Sequence, residues 1–352
     1  MKAGVFYGKE DLRIEDRPVP QVGPGQMLVK IAYVGICGTD VEFYKSGMCP
    51  PFTKLPLILG HENCGVVCEV GEGVTKFKVG DRVLCGPPGH CAEDCTPCKE
   101  GKTNICLHGF PRTAGLGQYD GGYAPYLLIH DVAHTMIVPV PDDVDFKDAV
   151  LFDVICVSLH GIRSSNFKFG DNVVVSGTGP IGLAAIQILK AAGANKIIAL
   201  GTTSSKEPLI KSYGADYFIN SKECGDLAGE VKKIFGTEVG ADVVYECAGN
   251  MTSLANCVYS CVKPGGQVSV IGTIQEPMTA LVPGAFSIFE PNMQFSFTYT
   301  ENDVKIYLEM VAQGKLHFPH MVTDIVSLDE CVEKVFAGNR RGQIKVLIDP
   351  SL

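Results

Sequence analysis

The sequence predicts an α/β protein of two domains: an irregular β domain over residues 1–145, completed by 290–352, and a doubly wound parallel sheet over 146–289. Three observations predict it. A chain of 352 residues suits about two domains. Its first part reads as short apolar, β-branched runs broken by Gly and Pro. From about residue 145, strands alternate with helical stretches, which is the pattern of a parallel sheet with crossover helices.

The elements follow in order. Leu28–Val34, Gly65–Val70, Arg82–Leu84 and Tyr123–Ile129 read as strands, and turns such as Gly23-Pro24-Gly25 and Pro87-Pro88-Gly89 separate them. Asn172–Ser176 is a buried-strand run, followed by Gly177-Thr178-Gly179-Pro180-Ile181-Gly182. Ile181, Ala184, Ala185, Ile188 and Leu189 then recur at helical spacing, with Pro180 where a first turn tolerates proline. Lys196–Leu200 is the next strand, Ser205–Tyr213 a helix with Pro208 in its first turn, and Asp242–Cys247 and Gly266–Ile271 are further strands. Beyond residue 290 the chain reads as helix, turn, helix and a final strand Ile344–Ile348, a tail that returns to the first domain.

Composition narrows the function. Hydrophobic residues make up 46% and charged residues 20%, which is globular rather than disordered. The formal charge of −9 and the lack of a Lys/Arg block give no footprint for nucleic acid. No apolar run approaches the roughly 20 residues needed to span a bilayer. The N-terminus, Met1–Asp16, has no signal-peptide core, so a cytoplasmic protein is expected. In a reducing compartment, fifteen cysteines point to metal before disulfides.

The hexapeptide Gly177–Gly182 fits G-x-G-x-x-G between a strand and a helix, the context in which such a loop cradles a pyrophosphate. The expected nucleotide contacts are Gly177, Gly179, Pro180, Ile181 and Gly182. The next strand ends in Gly201-Thr202-Thr203-Ser204-Ser205-Lys206, without the acidic residue that grips a ribose diol. A small residue, hydroxyls and a lysine suit a 2′-phosphate, so NADP is favoured, with NAD possible. Cys91, Cys95, Cys98 and Cys106 lie on one Gly/Pro-rich loop and can close a tetrahedral zinc site. His90 is an alternative first ligand, and Cys85 reads as strand packing. Cys37, His61 and Glu62 form a dispersed second set whose third donor the residues alone do not identify.

These segments resemble the zinc-dependent medium-chain alcohol dehydrogenase family, near its polyol (sorbitol) and threonine dehydrogenase branches. The span Gly60-His61-Glu62-x2-Gly65-x5-Gly71-x2-Val74 fits the family's zinc signature, and Cys37-Gly38-Thr39-Asp40 matches its Cys-Gly-Ser/Thr-Asp motif. The cysteine lobe, Gly121-Gly122-Tyr123-Ala124, the glycine loop and Lys345 fall in family order along essentially the whole chain. The resemblance implies a GroES-like catalytic domain over 1–145 and 290–352 and a Rossmann domain over 146–289. It implies two zinc ions, one catalytic and one structural. Cys37 and His61 become catalytic ligands, Glu62 a near or alternating one, and Asp153 the third, with Cys156 the runner-up. Lys345 matches a basic residue that approaches the cofactor pyrophosphate. Four departures stand out: the extra residue between Cys91 and Cys95, Glu42 where many relatives carry a relay histidine, Gly201 in place of Asp, and Thr298 where the sorbitol branch carries Arg.

The resemblance implies a reaction that moves a hydride between NADP(H) and a secondary alcohol or ketone, with a polyol or sugar-like compound as the expected substrate. Zinc acts as Lewis acid, and Thr39 with Glu42 relays the proton outward. An amino alcohol or hydroxyacyl substrate is the first alternative, and a non-catalytic NADP-binding sensor the second; the joint presence of Cys37, His61, Glu62 and Asp153 speaks against the sensor. The family further implies a homodimer or homotetramer.

Overall fold

The N-terminal chain folds as short antiparallel strands because its apolar runs are brief and Gly or Pro ends most of them. A computed structural model describes residues 1–87, 89–91, 94–279, 281–339 and 342–352; Pro88 of the expected 87–89 turn lies outside the described residues. In chain order the elements are β1 (Lys2–Gly8), β2 (Asp11–Asp16), β3 (Met27–Gly35), α1 (Gly38–Ser46), β4 (Leu57–Ile58), β5 (Glu62–Val70) and β6 (Arg82–Gly86). Then come α2 (Thr96–Lys99), β7 (Tyr126–Ile129), β8 (Met136–Pro139), α3 (Phe146–Ala149) and α4 (Phe152–Arg163). The alternating part is β9 (Asn172–Ser176), α5 (Pro180–Ala191), β10 (Lys196–Gly201), α6 (Glu207–Ser212), β11 (Tyr217–Asn220), α7 (Leu227–Phe235), β12 (Ala241–Glu246), α8 (Met251–Asn256), β13 (Val262–Val270), α9 (Pro283–Phe289) and β14 (Asn292–Phe295). The chain finishes with α10 (Glu301–Ala312), β15 (Val322–Val326), α11 (Leu328–Cys331) and β16 (Lys345–Ile348).

The chain divides into two units. One comprises Met1–Asp153, Thr300–Gly314 and Pro319–Leu352; the other comprises Val154–Tyr299 and Lys315–Phe318. In the first unit, a sheet in the order β15-β16-β3-β5-β6-β8, with β7 also on β3, lies beside a small sheet β2-β1-β4. Its core gathers Phe6, Leu59, Tyr123, Phe336 and Val346. Fully burying each such side chain contributes about 1.5–3 kcal/mol. In the second unit, β11-β10-β9-β12-β13-β14 form a sheet whose neighbours all run parallel. The strand order reverses direction between β9 and β12, the place where such sheets bind ligands at their carboxyl ends. Helix α5 buries Leu183, Ala184, Ala185, Ile186, Ile188 and Leu189, which lie on most sides of the helix, as expected for one that is apolar almost all round.

Several boundaries differ from the sequence reading. The first unit extends to Asp153 rather than to 145. Helix α3 belongs there because the Arg82 guanidinium sits 4.3 Å over the Phe146 ring and the Phe146 carbonyl accepts from Cys64 Sγ. The second unit runs to Tyr299 rather than 289, because β14 adds in parallel to β13. The tail holds β14 and β15 as well as the expected helices and last strand; Asn-Met-Gln-Phe alternates but over only four residues, and Val-Thr-Asp-Ile-Val breaks the alternation that marks a half-buried strand. Ser205–Tyr213 is not one helix. A 3₁₀ turn at Ser204–Lys206 precedes α6, because Pro208 has no N–H to carry the α ladder backwards. Among the described residues, no helix is long and apolar enough to cross a membrane.

Candidate active site and metal centres

Strand pairing assembles the first cluster. β3 and β5 run antiparallel with Gly35 opposite Glu62, so the chain leaving β3 brings Cys37 beside His61. Asp153 arrives in the first turn of α4. One donor atom from each of Cys37, His61, Glu62 and Asp153 lies within 4.8 Å of all the others. Cys156 is fully buried one turn further along α4 and is not a member of that group.

The electrostatics are those of a buried ionic site. His61 is 3% exposed, Glu62 0% and Lys345 2%. Lys345 Nζ pairs with Glu62 Oε2 and donates to the Ile36 carbonyl at 3.2 Å. Lys345 therefore sits against Glu62, a neighbour that its sequence position does not announce. Gly35 makes the pair possible: a Cβ there would lie 1.9 Å from Glu62 Oε2 and 2.9 Å from Lys345 Cε. Burial pushes the Glu62 carboxyl up to about 7, against the pull of Lys345 and with the push of Asp153. Burial acts to lower His61, but the Asp40 carboxylate and the Cys37 thiol override it and hold the imidazole well above its usual range.

Behind the cluster stands Asp40, fully buried at N3 of α1. Its Oδ2 accepts from the Cys37 N–H at 3.0 Å and from the Tyr123 hydroxyl at 2.8 Å. Its Oδ1 faces His61 Nδ1 at 3.4 Å. Thr39 and Glu42 occupy the exposed face of α1, one turn apart. The residues fit a zinc ion: thiol, imidazole and carboxylate are its usual donors. Glu62 Oε1 is buried with no hydrogen-bond partner among the described residues, as an atom facing a cation would be.

The second cluster is Cys91, Cys95, Cys98 and Cys106, again within 4.8 Å of one another. The Cys91–Cys98 sulfurs are 3.7 Å apart and the Cys95–Cys106 sulfurs 3.8 Å. A tetrahedron with Zn–S of about 2.3 Å has edges of about 3.8 Å, so the sulfurs already stand at zinc spacing, and all four are free thiols. The extra residue between Cys91 and Cys95 is absorbed without removing Cys91 from the group. His90 instead packs edge-on against His134. Cys85 lies in β6, paired with Asn63 of β5, and burial pushes its thiol up to about 12.

In the second unit, the glycine loop leaves β9 and opens α5. Gly177 takes φ +109°, and a Cβ there would meet the Ala248 N at 2.6 Å. A Cβ on Gly182 would lie 1.8 Å from the Gly177 carbonyl oxygen. A Cβ on Gly179 would meet nothing within 4 Å, so its face is open to an approaching group. Pro180 and Ile181 follow at the helix start, half-buried. This fits a pyrophosphate cradle: two glycines close-packed, one held bare before a helix N-terminus.

Gly201 ends β10 fully against its surroundings; a Cβ there would lie 2.8 Å from Thr178 Oγ1 and 2.9 Å from the Phe218 ring. Thr202, Thr203, Ser204 and Ser205 are exposed and Lys206 is half-buried. Three features here escaped sequence reasoning. Glu223, from the turn after β11, places Oε2 3.3 Å from Ser204 Oγ. Asn220 also donates to Ser204 Oγ, at 2.8 Å. Buried Glu246, at the end of β12, accepts from the Ala248 and Gly249 N–H groups and so shapes the turn packed under Gly177. Burial pushes its carboxyl upward. The acidic end of β12 was legible as a strand end, but not as a turn template.

Residues 23–142 match the family model described as alcohol dehydrogenase GroES-like domain, and residues 180–313 match the model described as zinc-binding dehydrogenase. The chain is 31% identical to D-xylulose reductase A of Aspergillus oryzae, across 98% of this chain and 95% of that one. It is 32% identical to the sorbitol dehydrogenase of Bacillus subtilis, across 94% and 91%. Among solved structures, a Sinorhizobium meliloti 1021 protein described as a zinc-binding dehydrogenase, bound to NADP, superposes with TM-score 0.89 at 27% identity, covering 99% of both chains.

Proposed function

This chain belongs to the zinc-dependent medium-chain alcohol dehydrogenase family, and from that premise we propose that it transfers a hydride between NADP(H) and a secondary alcohol or ketone of the polyol or sugar class. It is an oxidoreductase of polyols and related secondary alcohols, as its relatives' names indicate. The observation that carries the reading is the convergence of Cys37, His61 and Asp153 with Glu62 held back on Lys345.

When bound, zinc supplies the charge that makes a substrate hydroxyl acidic at neutral pH, and the nicotinamide supplies the hydride acceptor. Cys37, His61 and Asp153 would hold the metal. Lys345 neutralises Glu62, so the donor set carries less net negative charge than its four members suggest. Thr39 Oγ1, exposed at the start of α1, would take the hydroxyl proton as it releases its own, and Glu42, one turn on along the same exposed face, would accept that released proton and pass it to solvent. Cys91, Cys95, Cys98 and Cys106 would hold a second, structural zinc, four thiolates being the donor set of a closed site.

In the nucleotide unit, Gly177, Gly179, Pro180, Ile181 and Gly182 receive the pyrophosphate at the start of α5. Lys345 is buried on Glu62, so its contribution to cofactor binding is made through that pair. The preference for NADP rests on Gly201, the hydroxyls of Thr202 to Ser205, and Lys206; Glu223 beside Ser204 opposes it. The chain works as a homodimer or homotetramer in the cytoplasm. Strand β14 is the outermost of its sheet among the described residues; its Phe295 is 61% exposed, and Ile288 of the preceding α9 is 75% exposed. That edge is where a second copy would add.

The test follows reduced-nicotinamide absorbance with NADP and NAD in parallel, against polyols, sugars, amino alcohols and simple secondary alcohols, on protein whose zinc content is measured. Turnover of a polyol or sugar with NADP is the expected result. Turnover of amino alcohols alone, or a clear preference for NAD, defeats the substrate or cofactor assignment respectively. Silence from protein carrying two zinc ions per chain leaves the non-catalytic alternative.

A further inference from the structure

We propose that Tyr123 is a positioning residue for the metal centre: its buried hydroxyl fixes the Asp40 carboxylate so that His61 presents one ring nitrogen to the metal. The inference rests on the zinc-site reading above. Tyr123 and Asp40 are both 0% exposed. The hydroxyl donates to Asp40 Oδ2 at 2.8 Å, and the Cys37 N–H donates to the same oxygen at 3.0 Å. Two fixed donors on Oδ2 orient the carboxylate and leave Oδ1 3.4 Å from His61 Nδ1, an ion-pair approach in which neither atom has a hydrogen-bond partner among the described residues. A metal-ligating imidazole needs its second ring nitrogen held by such a partner, which selects the tautomer and the ring orientation.

The tyrosine is itself held rigidly. Its N–H donates to the Leu59 carbonyl at 2.9 Å, and its carbonyl accepts from the Gly4 N–H at 2.8 Å. Its ring meets Phe336 edge-on at 6.1 Å between centroids. A Cβ on Gly60 would come within 2.4 Å of the ring, so the segment that delivers His61 is moulded to Tyr123. Burial, reinforced by Asp40, holds the phenol well above its usual range, so it remains a donor throughout the working pH range. The apolar ring anchors the hydroxyl, and a phenylalanine would keep the anchor and lose the contact.

The experiment uses the full-length, zinc-loaded protein and the variant Tyr123→Phe. Zinc at each site is titrated by competition with a chromogenic chelator, and the four-cysteine site serves as internal control. The expected result is about tenfold weaker zinc binding at the Cys37–His61 site, the lower end of what removing an outer partner costs, with the four-cysteine site unchanged. In an Asp40→Ala background the same substitution should have no further effect, because the two act in series. Affinity within twofold of the parent overturns the proposal. So does equal loosening of both sites, or a full effect persisting without Asp40. If Asp40→Ala does not fold, cobalt-substituted protein decides: altered visible bands in Tyr123→Phe support the proposal and identical bands overturn it. A parent protein that holds one zinc, unaffected by Cys37→Ser, defeats the underlying site reading instead.

Discussion

Replacing Gly179 and Gly182 with alanine, one at a time, separates nucleotide binding from folding. At Gly182 the new methyl would lie 1.8 Å from the Gly177 carbonyl oxygen, where real contacts do not fall below 3.0 Å. Backbone would therefore have to move by about 1.2 Å, and neither partner is a flexible side chain. Overpacking of this kind costs about 1–3 kcal/mol, and a rigid neighbour puts it near the top. At about 2–4 °C per kcal/mol, the melting temperature should fall by roughly 6–12 °C. At Gly179 the backbone is extended, with φ −82° and ψ −173°, and a methyl meets nothing. Stability should stay within about 1 °C of the parent, since the change lies within the ordinary small range of surface substitutions. If a pyrophosphate comes to rest on that open face, the same 1–3 kcal/mol appears in binding, as roughly 5–150-fold weaker affinity. Thermal unfolding and fluorescence titration with NADPH read the two effects. A folded Gly179→Ala protein that binds NADPH as the parent does would refute the cradle, and an unshifted melting temperature in Gly182→Ala would refute the packing argument.

Three other outcomes follow from the same geometry. Cys98→Ser should remove one zinc per chain and expose the 91–106 loop to proteolysis, because a closed zinc site contributes folding energy; zinc content and limited digestion check it. Glu246→Gln should raise the Michaelis constant for nucleotide several-fold, since the amide keeps one oxygen for the Ala248 and Gly249 N–H groups but puts an NH2 donor where Oε2 also accepts from Gly249; steady-state kinetics at saturating substrate measure this. Lys206→Ala should weaken NADP about tenfold or more and leave NAD unchanged, a charge-assisted contact to phosphate being worth about 1.5–3 kcal/mol, whereas Glu223→Gln should improve NADP a few-fold. Equal effects on both nucleotides in either variant would remove it from the 2′-phosphate site.

Local chemistry made much of this legible. The four sulfurs of the lobe come from sixteen consecutive positions, so their convergence is written in spacing. The glycine loop declares itself because strand, turn and helix are contiguous. The long-range partners are another matter. Lys345 meets Glu62 across 283 positions because β16 and β5 flank β3 on opposite sides, and nothing local to Lys345 signals that neighbour. Tyr123 reads as part of a strand start, yet the observed strand begins at Tyr126 and the tyrosine serves Asp40 instead. Glu223 lies 22 positions beyond Gly201, and only the parallel pairing of β10 with β11 brings it to Ser204. Strand β14 was missed because its alternating run is only four residues long, and β15 because its residues break the alternation; their place is decided by pairing with β13 and β16.

The placement of β16 between β15 and β3 bears on how the molecule is made. Synthesis runs from the N-terminus, so the cysteine lobe and the whole parallel sheet can emerge and organise while residues 345–348 are still unmade. Through that interval Glu62 and Asp153 lack the Lys345 ammonium that faces them both. The lobe can then capture its metal early, on an incomplete chain, while the Cys37–His61 centre matures only after the last strand has docked. Ribosome-bound chains stopped short of Lys345 should accordingly hold one zinc ion where released chains hold two.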